Sequence, residues 1–257
     1  MKTEKKYISI LEGILLPVIV IVFWYITTNS GRIPQSILPK IGTVWTTFID
    51  MCRSGELWGD MSVSLLRVLK GYLIAAVTGV LLGTSMGMSK HIKNIIQPTI
   101  TTIRQIPIMA WIPLLILWCG IGEASKVVVI VLAAIFPIVV NTESGIAQTP
   151  ASYIEVAKLY KLGKVETFLR VYLPHSLPQI QTGLKLGLGV SWMAVVAAEL
   201  IASTSGIGYK MSYARTLMQS DVLIVAMIVV GVVGVLIDKF ITILFGVLTP
   251  WNRIKTR

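Results

Sequence analysis

Apolar runs recur along this chain at residues 8–27, 65–88, 97–119, 126–140, 183–202 and 222–248, separated by short polar or basic segments. Runs of about 18 or more residues with few charges read as membrane spans, not as helices of a water-soluble core. Composition agrees. The chain has 257 residues, of which 54% are hydrophobic and 14% charged, against about 25% charged in an ordinary soluble domain. An all-α integral membrane protein with about six transmembrane helices is therefore expected.

The formal net charge is +11. In a soluble protein that would raise nucleic acid as a partner. Here the Lys and Arg residues sit mostly at the ends of apolar runs, where they anchor helices at the lipid interface and set orientation, so membrane lipid is the expected partner and nucleic acid is not. The two cysteines, Cys52 and Cys119, have no ligand spacing and suggest neither a disulfide framework nor a zinc site. The basic, apolar N-terminus could pass for a signal peptide. No small-residue cleavage site follows residues 23–28, so a retained first span is expected.

Six spans put both termini on one side. The basic N-terminus, the turn at residues 90–93, the segment 141–176 and the basic tail then fall together, and their excess of Lys and Arg places them in the cytoplasm. The predicted organisation is a first transmembrane helix within 1–30, an extracytoplasmic connector at 31–62 with a short amphipathic helix at 44–51, a core at 63–250 and a basic cytoplasmic tail at 251–257. In the second span Gly79, Gly83 and Gly87 recur at every fourth position. Such spacing lets two helix backbones approach closely in lipid, although glycine is common in membrane helices in any case. In the third run Pro107 and Pro113 break the helix, and the carbonyls they free must be satisfied by protein or cavity water. That favours a buried or pore-lining position.

The segment 149–174, TPASYIEVAKLYKLGKVETFLRVYLP, is too long and too well capped for an ordinary loop. Thr149 before Pro150 reads as an N-cap with proline at the first helical position. A helix of about three turns is expected to stop at Gly163, and a second short helix over 164–172 to end before Pro174. Such a pair is either an interfacial element lying on lipid or a docking element for a cytoplasmic partner.

This run resembles the coupling motif of ABC importer permeases: EAA, three residues, Gly, nine residues, then Ile-x-Leu-Pro. Glu155, Val156 and Ala157 occupy the first three positions and Val171, Leu173 and Pro174 the last. Lys161 stands where the family usually has Gly, with Gly163 two residues later. The segments IPIMAWIPLLILWCGIGEASK (106–126), FPIVVNT (136–142) and SWMAVVAAELIASTSGIGY (191–209) are similar to permeases of the nitrate/sulfonate/taurine branch. The similarity covers nearly the whole chain after about residue 39.

The resemblance implies a type I ABC importer permease fold in the bacterial cytoplasmic membrane. It implies cytoplasmic ABC ATPase subunits, a second permease copy forming a homodimer and an extracytoplasmic solute-binding protein as partners. No cofactor is implied for the chain itself, since ATP is bound by the ATPase. Glu155, Val156, Ala157, Lys161, Gly163, Leu173 and Pro174 would form the coupling element, with Glu155 the charged contact. The implied solute is a small anion such as a sulfonate, taurine or nitrate.

Ionisable residues within the spans are the remaining candidates. A carboxylate at the bilayer centre costs about 2.5–3.5 kcal/mol on insertion scales, so Glu199 either faces the translocation path or gate, or is bonded to a neighbouring helix. Arg104 precedes the proline-broken segment and would contact an anionic solute or the partner helix. Trp111 and Trp192 are either path residues or packing. His91 and His175 are isolated, and no HExxH pair, Cys cluster, G-x-S-x-G elbow or phosphate-binding G-x-x-x-x-G-K-[ST] occurs. The chain is therefore read as a non-catalytic subunit. A passive channel is the alternative, but a passive pore has no need of a docking segment.

Overall fold

The computed structural model of the chain describes residues 2–31 and 33–248, with side chains over 12–31 and 33–247. The tail at 251–257 and the side chains of Lys2, Lys5 and Lys6 lie outside the described residues. Every described element is helical: α1 (Lys2–Asn29), α2 (Ile41–Arg53), α3 (Glu56–Met88), α4 (Lys90–Ile103), α5 (Ile108–Cys119), α6 (Glu123–Ala147), α7 (Ala151–Leu159), α8 (Lys164–Thr167), a π-helical turn (Phe168–Tyr172), α9 (Leu173–Ala202), α10 (Ile207–Thr216) and α11 (Ser220–Leu248). Five helical stretches among the described residues are long and apolar enough to cross a membrane, and the bent pair α4–α5 makes a sixth if counted as one span. The end of the bundle that carries α7 is called the inner end below.

Three helices form the core, with α6 packed between α3 and α9. Along α3, Gly71, Gly79, Gly83 and Gly87 meet Ile130, Ile138, Thr142 and Ile146 of α6 in constant register, and a Cβ on any of the four would fall 2.6–2.9 Å from an α6 atom. The glycine stripe is therefore a packing surface, along which two parallel helices approach closely enough for dispersion to hold them where lipid supplies no hydrophobic drive. On the other side of α6 the helices run antiparallel. Gly183 and Gly187 of α9 lie against Asn141 and Ile138, and Gly145 of α6 against Gln179.

The remaining elements clad this core. α1 turns most of its apolar surface outward, and is fixed at its end where the Trp24 Nε1–H donates to Pro39 O at 3.0 Å. The expected amphipathic helix is α2. It buries Val44 and Met51 and is pinned to α11 by the Thr47 hydroxyl, which donates to Asp221 at 2.7 Å. Midway along α9, Lys185 pairs with Asp238 of α11 at 3.2 Å.

Several boundaries differ from the sequence expectations. α3 starts at Glu56, one charged and polar stretch before its apolar run, because that stretch packs on α10. The segment 203–221, read as a polar loop, contains α10. The third span is not one rod: α4 and α5 meet at 98°, with the break at residues 104–107. Pro107 stands at the N-cap of α5, whereas Pro113 is carried inside it. Finally, the chain does not break before Pro174. Residues 164–202 form one continuous helix. Pro174 lacks an N–H and its ring would meet the carbonyl four residues back. The helix widens at that point into a π turn, with Leu173 N–H donating to Phe168 O.

Candidate functional site

Three places in the fold carry residues that packing alone does not account for: the α7–α8 elbow at the inner end, a buried ionic joint at the outer end, and the α4–α5 corner.

At the elbow, Pro150 is the N-cap and α7 begins at Ala151, while the Thr149 hydroxyl is buried and makes no hydrogen bond. Thr149 is therefore not the cap. Nor does Gly163 end the helix. Lys161 adopts φ +53°, its N–H donates to Lys158 O at 2.9 Å, and the Leu162 N–H donates to Ala157 O at 3.0 Å. These two bonds form a Schellman closure, in which a left-handed residue lets the last carbonyls be satisfied. Glycine takes that conformation without steric penalty, and here Lys161 occupies it. Gly163, in extended backbone, is instead the N-cap of α8.

The elbow displays apolar side chains to the surroundings. Leu159, Tyr160 and Val165 are 81%, 78% and 73% exposed. Glu155 and Val156 lie exposed on α7, but Ala157 is buried against the protein itself, so the EAA-like triplet is split between two faces. Tyr153 stacks edge-on against His175 at 6.3 Å between ring centres, and Arg170 pairs with Glu166 at 3.0 Å. Together with the continuous helix through Leu173 and Pro174, these contacts tie the elbow to α9.

At the outer end the Arg67 guanidinium, 2% exposed, has a partner for each of its N–H donors. It reaches Glu123 from Nε at 2.8 Å and from Nη2 at 2.5 Å, Glu199 Oε1 from Nη1 at 2.7 Å, and the Ser205 carbonyl and hydroxyl at 2.8 and 2.9 Å. Glu199, 1% exposed, also accepts from the Ser64 hydroxyl at 2.8 Å and from the Gly208 N–H at 3.0 Å. Lys126 lies 3.6 Å from Glu123, so two cations and two carboxylates balance. The joint ties α3, α6 and α9 to α10. Asp60 accepts from the Gly206 N–H at 3.1 Å, and Lys210 pairs with Glu56. Gly206 has φ +102°, and a Cβ there would lie 2.5 Å from the Glu199 carboxylate. Of the two sequence readings of Glu199, this geometry matches the carboxylate bonded to a neighbouring helix. Arg67, Glu123, Ser64 and Gly206 were not singled out from the sequence. The available signal was a second charge of opposite sign inside an apolar run, since intramembrane charges pair.

The residues grouped from the sequence as path candidates are not brought together. Trp192 is buried, with its Nε1–H donating to Val230 O of α11 at 3.0 Å. Trp111 packs at the edge of the apolar cluster formed by α5, α6 and α9. Arg104 sits at the α4–α5 corner, lining a cavity with Gln97, Thr101 and Glu143. Among the described residues no three His, Cys, Asp or Glu side chains are grouped to hold a metal.

Comparison with known proteins assigns this architecture. Residues 75–254 match the model of the family described as binding-protein-dependent transport system inner membrane component. The chain is 35% identical over 252 residues to the putative aliphatic sulfonates transport permease protein SsuC of Bacillus subtilis (strain 168), covering 98% of this chain and 91% of that protein. It is 34% identical to the taurine transport system permease protein TauC of Escherichia coli (strain K12), with 85% and 79% covered. It is 39% identical to the nitrate import permease protein NrtB of a Synechocystis strain, with 73% and 68% covered. Among solved structures, an amino acid ABC transporter crystallised with histidines superposes with a TM-score of 0.64 at 15% identity, over 77% of this chain and 96% of that one. The chain belongs to the binding-protein-dependent inner membrane components, the multi-pass, non-catalytic permease subunits of ABC importers.

Proposed function

We propose that the chain is the permease of an importer for a small anion, with an organic sulfonate as the first candidate, and that the α7–α8 elbow is where a separate ATPase engages it. The observation that carries this reading is the elbow: a short, closed helix whose apolar residues Leu159, Tyr160 and Val165 are exposed in a segment with coupling-motif spacing. Exposed apolar patches mark sites of interaction with protein or membrane, and the coupling-motif spacing favours a protein partner here. The sulfonate assignment is supported by the relatives of the aliphatic sulfonate and taurine permeases. A second copy of the chain and an extracytoplasmic solute-binding protein complete the assembly in this reading. The α7 end and both termini then lie in the cytoplasm.

The mechanics follow from stiffness. Closing of the ATPase pair pushes on α7. The Tyr153–His175 contact and the continuous helix 164–202 pass that push to α9. Because α6 is locked to both α3 and α9 through close glycine contacts, the three helices move as one body.

The test is copurification from detergent with a coexpressed ABC ATPase. Wild type is expected to retain it, whereas Glu155→Arg and Leu159→Arg lose it. A correctly folded wild-type chain that purifies alone would overturn the docking assignment.

A further inference from the structure

The α4–α5 corner is an unusual thing to place within a membrane bundle. Residues 104–107 leave the helical path at a 98° bend, and non-helical backbone at membrane depth is tolerated only inside protein or against water. Its depth is set by its neighbours: Met86 lies near the inner end of α3, and Val139 and Val140 lie in the last third of α6. The cavity at the corner therefore sits in the inner half of the bundle.

A cavity of about 150 Å³ opens there. Gln97 and Thr101 of α4 and Arg104 at its C-cap fall at i, i+4 and i+7 and line one side. Met86, Val139 and Val140 make an apolar wall on the other. The one carboxylate at the cavity, Glu143, is already neutralised by Lys93 at 2.7 Å. Among the described residues the Arg104 guanidinium makes no hydrogen bond or ion pair. By contrast Arg67, Lys126 and Lys185 each hold a carboxylate. A guanidinium presents a planar fork of donors matched to an oxyanion. Left unpaired at membrane depth, it is expensive unless water or an anion reaches it.

We propose that this cavity is an inward-facing subsite for a small oxyanion bearing a short apolar group, with Arg104 as the anion contact. The Thr101 hydroxyl and Gln97 amide donate to the remaining oxygens, and the Met86–Val139–Val140 wall takes the alkyl part. An alkylsulfonate meets both requirements. The inference rests on the importer reading and adds a residue-level recognition point to it, on the cytoplasmic side where the solute leaves.

The experiment uses Thr101→Cys in a chain with Cys52→Ser and Cys119→Ser, reconstituted with its ATPase in lipid nanodiscs without nucleotide. The introduced thiol is labelled with two reagents of similar size, the anionic 2-sulfonatoethyl and the cationic 2-(trimethylammonio)ethyl methanethiosulfonates. Their rate ratio is normalised to that on a free thiol in solution. Gln97→Cys serves as the second site if Thr101→Cys does not assemble. The subsite predicts an anionic preference of roughly tenfold, the scale of local enrichment in a charged cleft. Arg104→Gln should remove that preference, Arg104→Lys should keep part of it, and ethanesulfonate should slow the labelling. Equal rates for both reagents, unchanged by Arg104→Gln, would overturn the subsite. So would the absence of any labelling at both positions, which would show a dry corner. Copurification with the ATPase, scored on the same samples, reports the importer reading separately.

Discussion

Removing the charge of Arg67 should expose how the outer end of the bundle is held together. In Arg67→Leu the Glu199 carboxylate, 1% exposed, keeps only the Ser64 hydroxyl and the Gly208 N–H as partners. Breaking a buried pair by deleting one member costs about 3–5 kcal/mol, because the remaining charge has no compensation. Glu199→Leu is milder. Arg67 retains both contacts to Glu123 and those to Ser205, although it then shares that one carboxylate with Lys126, and the stranded Gly208 N–H adds about 1–3 kcal/mol. The double variant removes both charges at once. Its cost should fall short of the sum of the single costs by about 0.5–3 kcal/mol, the range for groups in direct contact. Unfolding by SDS in mixed micelles, followed by tryptophan fluorescence, gives the four stabilities. Additivity within about 0.5 kcal/mol, or an Arg67→Leu variant as stable as wild type, would refute the joint. Glu199 would then be a solvated residue, as a path or gate position requires.

Two further outcomes follow from packing and backbone. Gly83→Val places a Cβ 2.7 Å from the Val139 carbonyl oxygen, which cannot rotate away, so overpacking should cost about 1–3 kcal/mol in the same assay. Gly189→Ala, with nothing within 4 Å of its Cβ position, should be near neutral, and equal losses at both sites would contradict the α3–α6 register. At the elbow, Lys161 holds φ +53°, a conformation that costs a residue with a side chain about 1–2 kcal/mol. Lys161→Gly should preserve ATPase coupling, whereas Lys161→Ile, β-branched at positive φ, should lower it. Retention of full coupling by Lys161→Ile would show that the Schellman closure is not needed.

The parts of this fold that the sequence displays are those governed by local composition. Span number follows from hydropathy over windows of about 20 residues. The Gly79–Gly83–Gly87 stripe announces a close helix contact, although not that α6 is the partner. The coupling segment is legible from its spacing. Its detail is not, because Gly163 and Lys161 compete for the helix stop, and turn chemistry alone favours glycine where the structure uses lysine. Pro174 reads as a break because the widened turn that accommodates it leaves no mark in composition. α10 is short and polar, so no apolar period reveals it. The ionic joint is the largest gap: Arg67 and Glu199 are 132 residues apart in sequence, and nothing local to either says that they meet.

In the importer reading, solute moves through this chain only when a docked ATPase drives it. The most direct measurement is uptake of radiolabelled ethanesulfonate or taurine into proteoliposomes holding the permease and its ATPase, with the solute-binding protein outside and ATP inside. Uphill accumulation that needs ATP and is lost in Leu159→Arg is the predicted result. Downhill flux without ATP, unaffected by Leu159→Arg, would contradict the account and identify a passive pore.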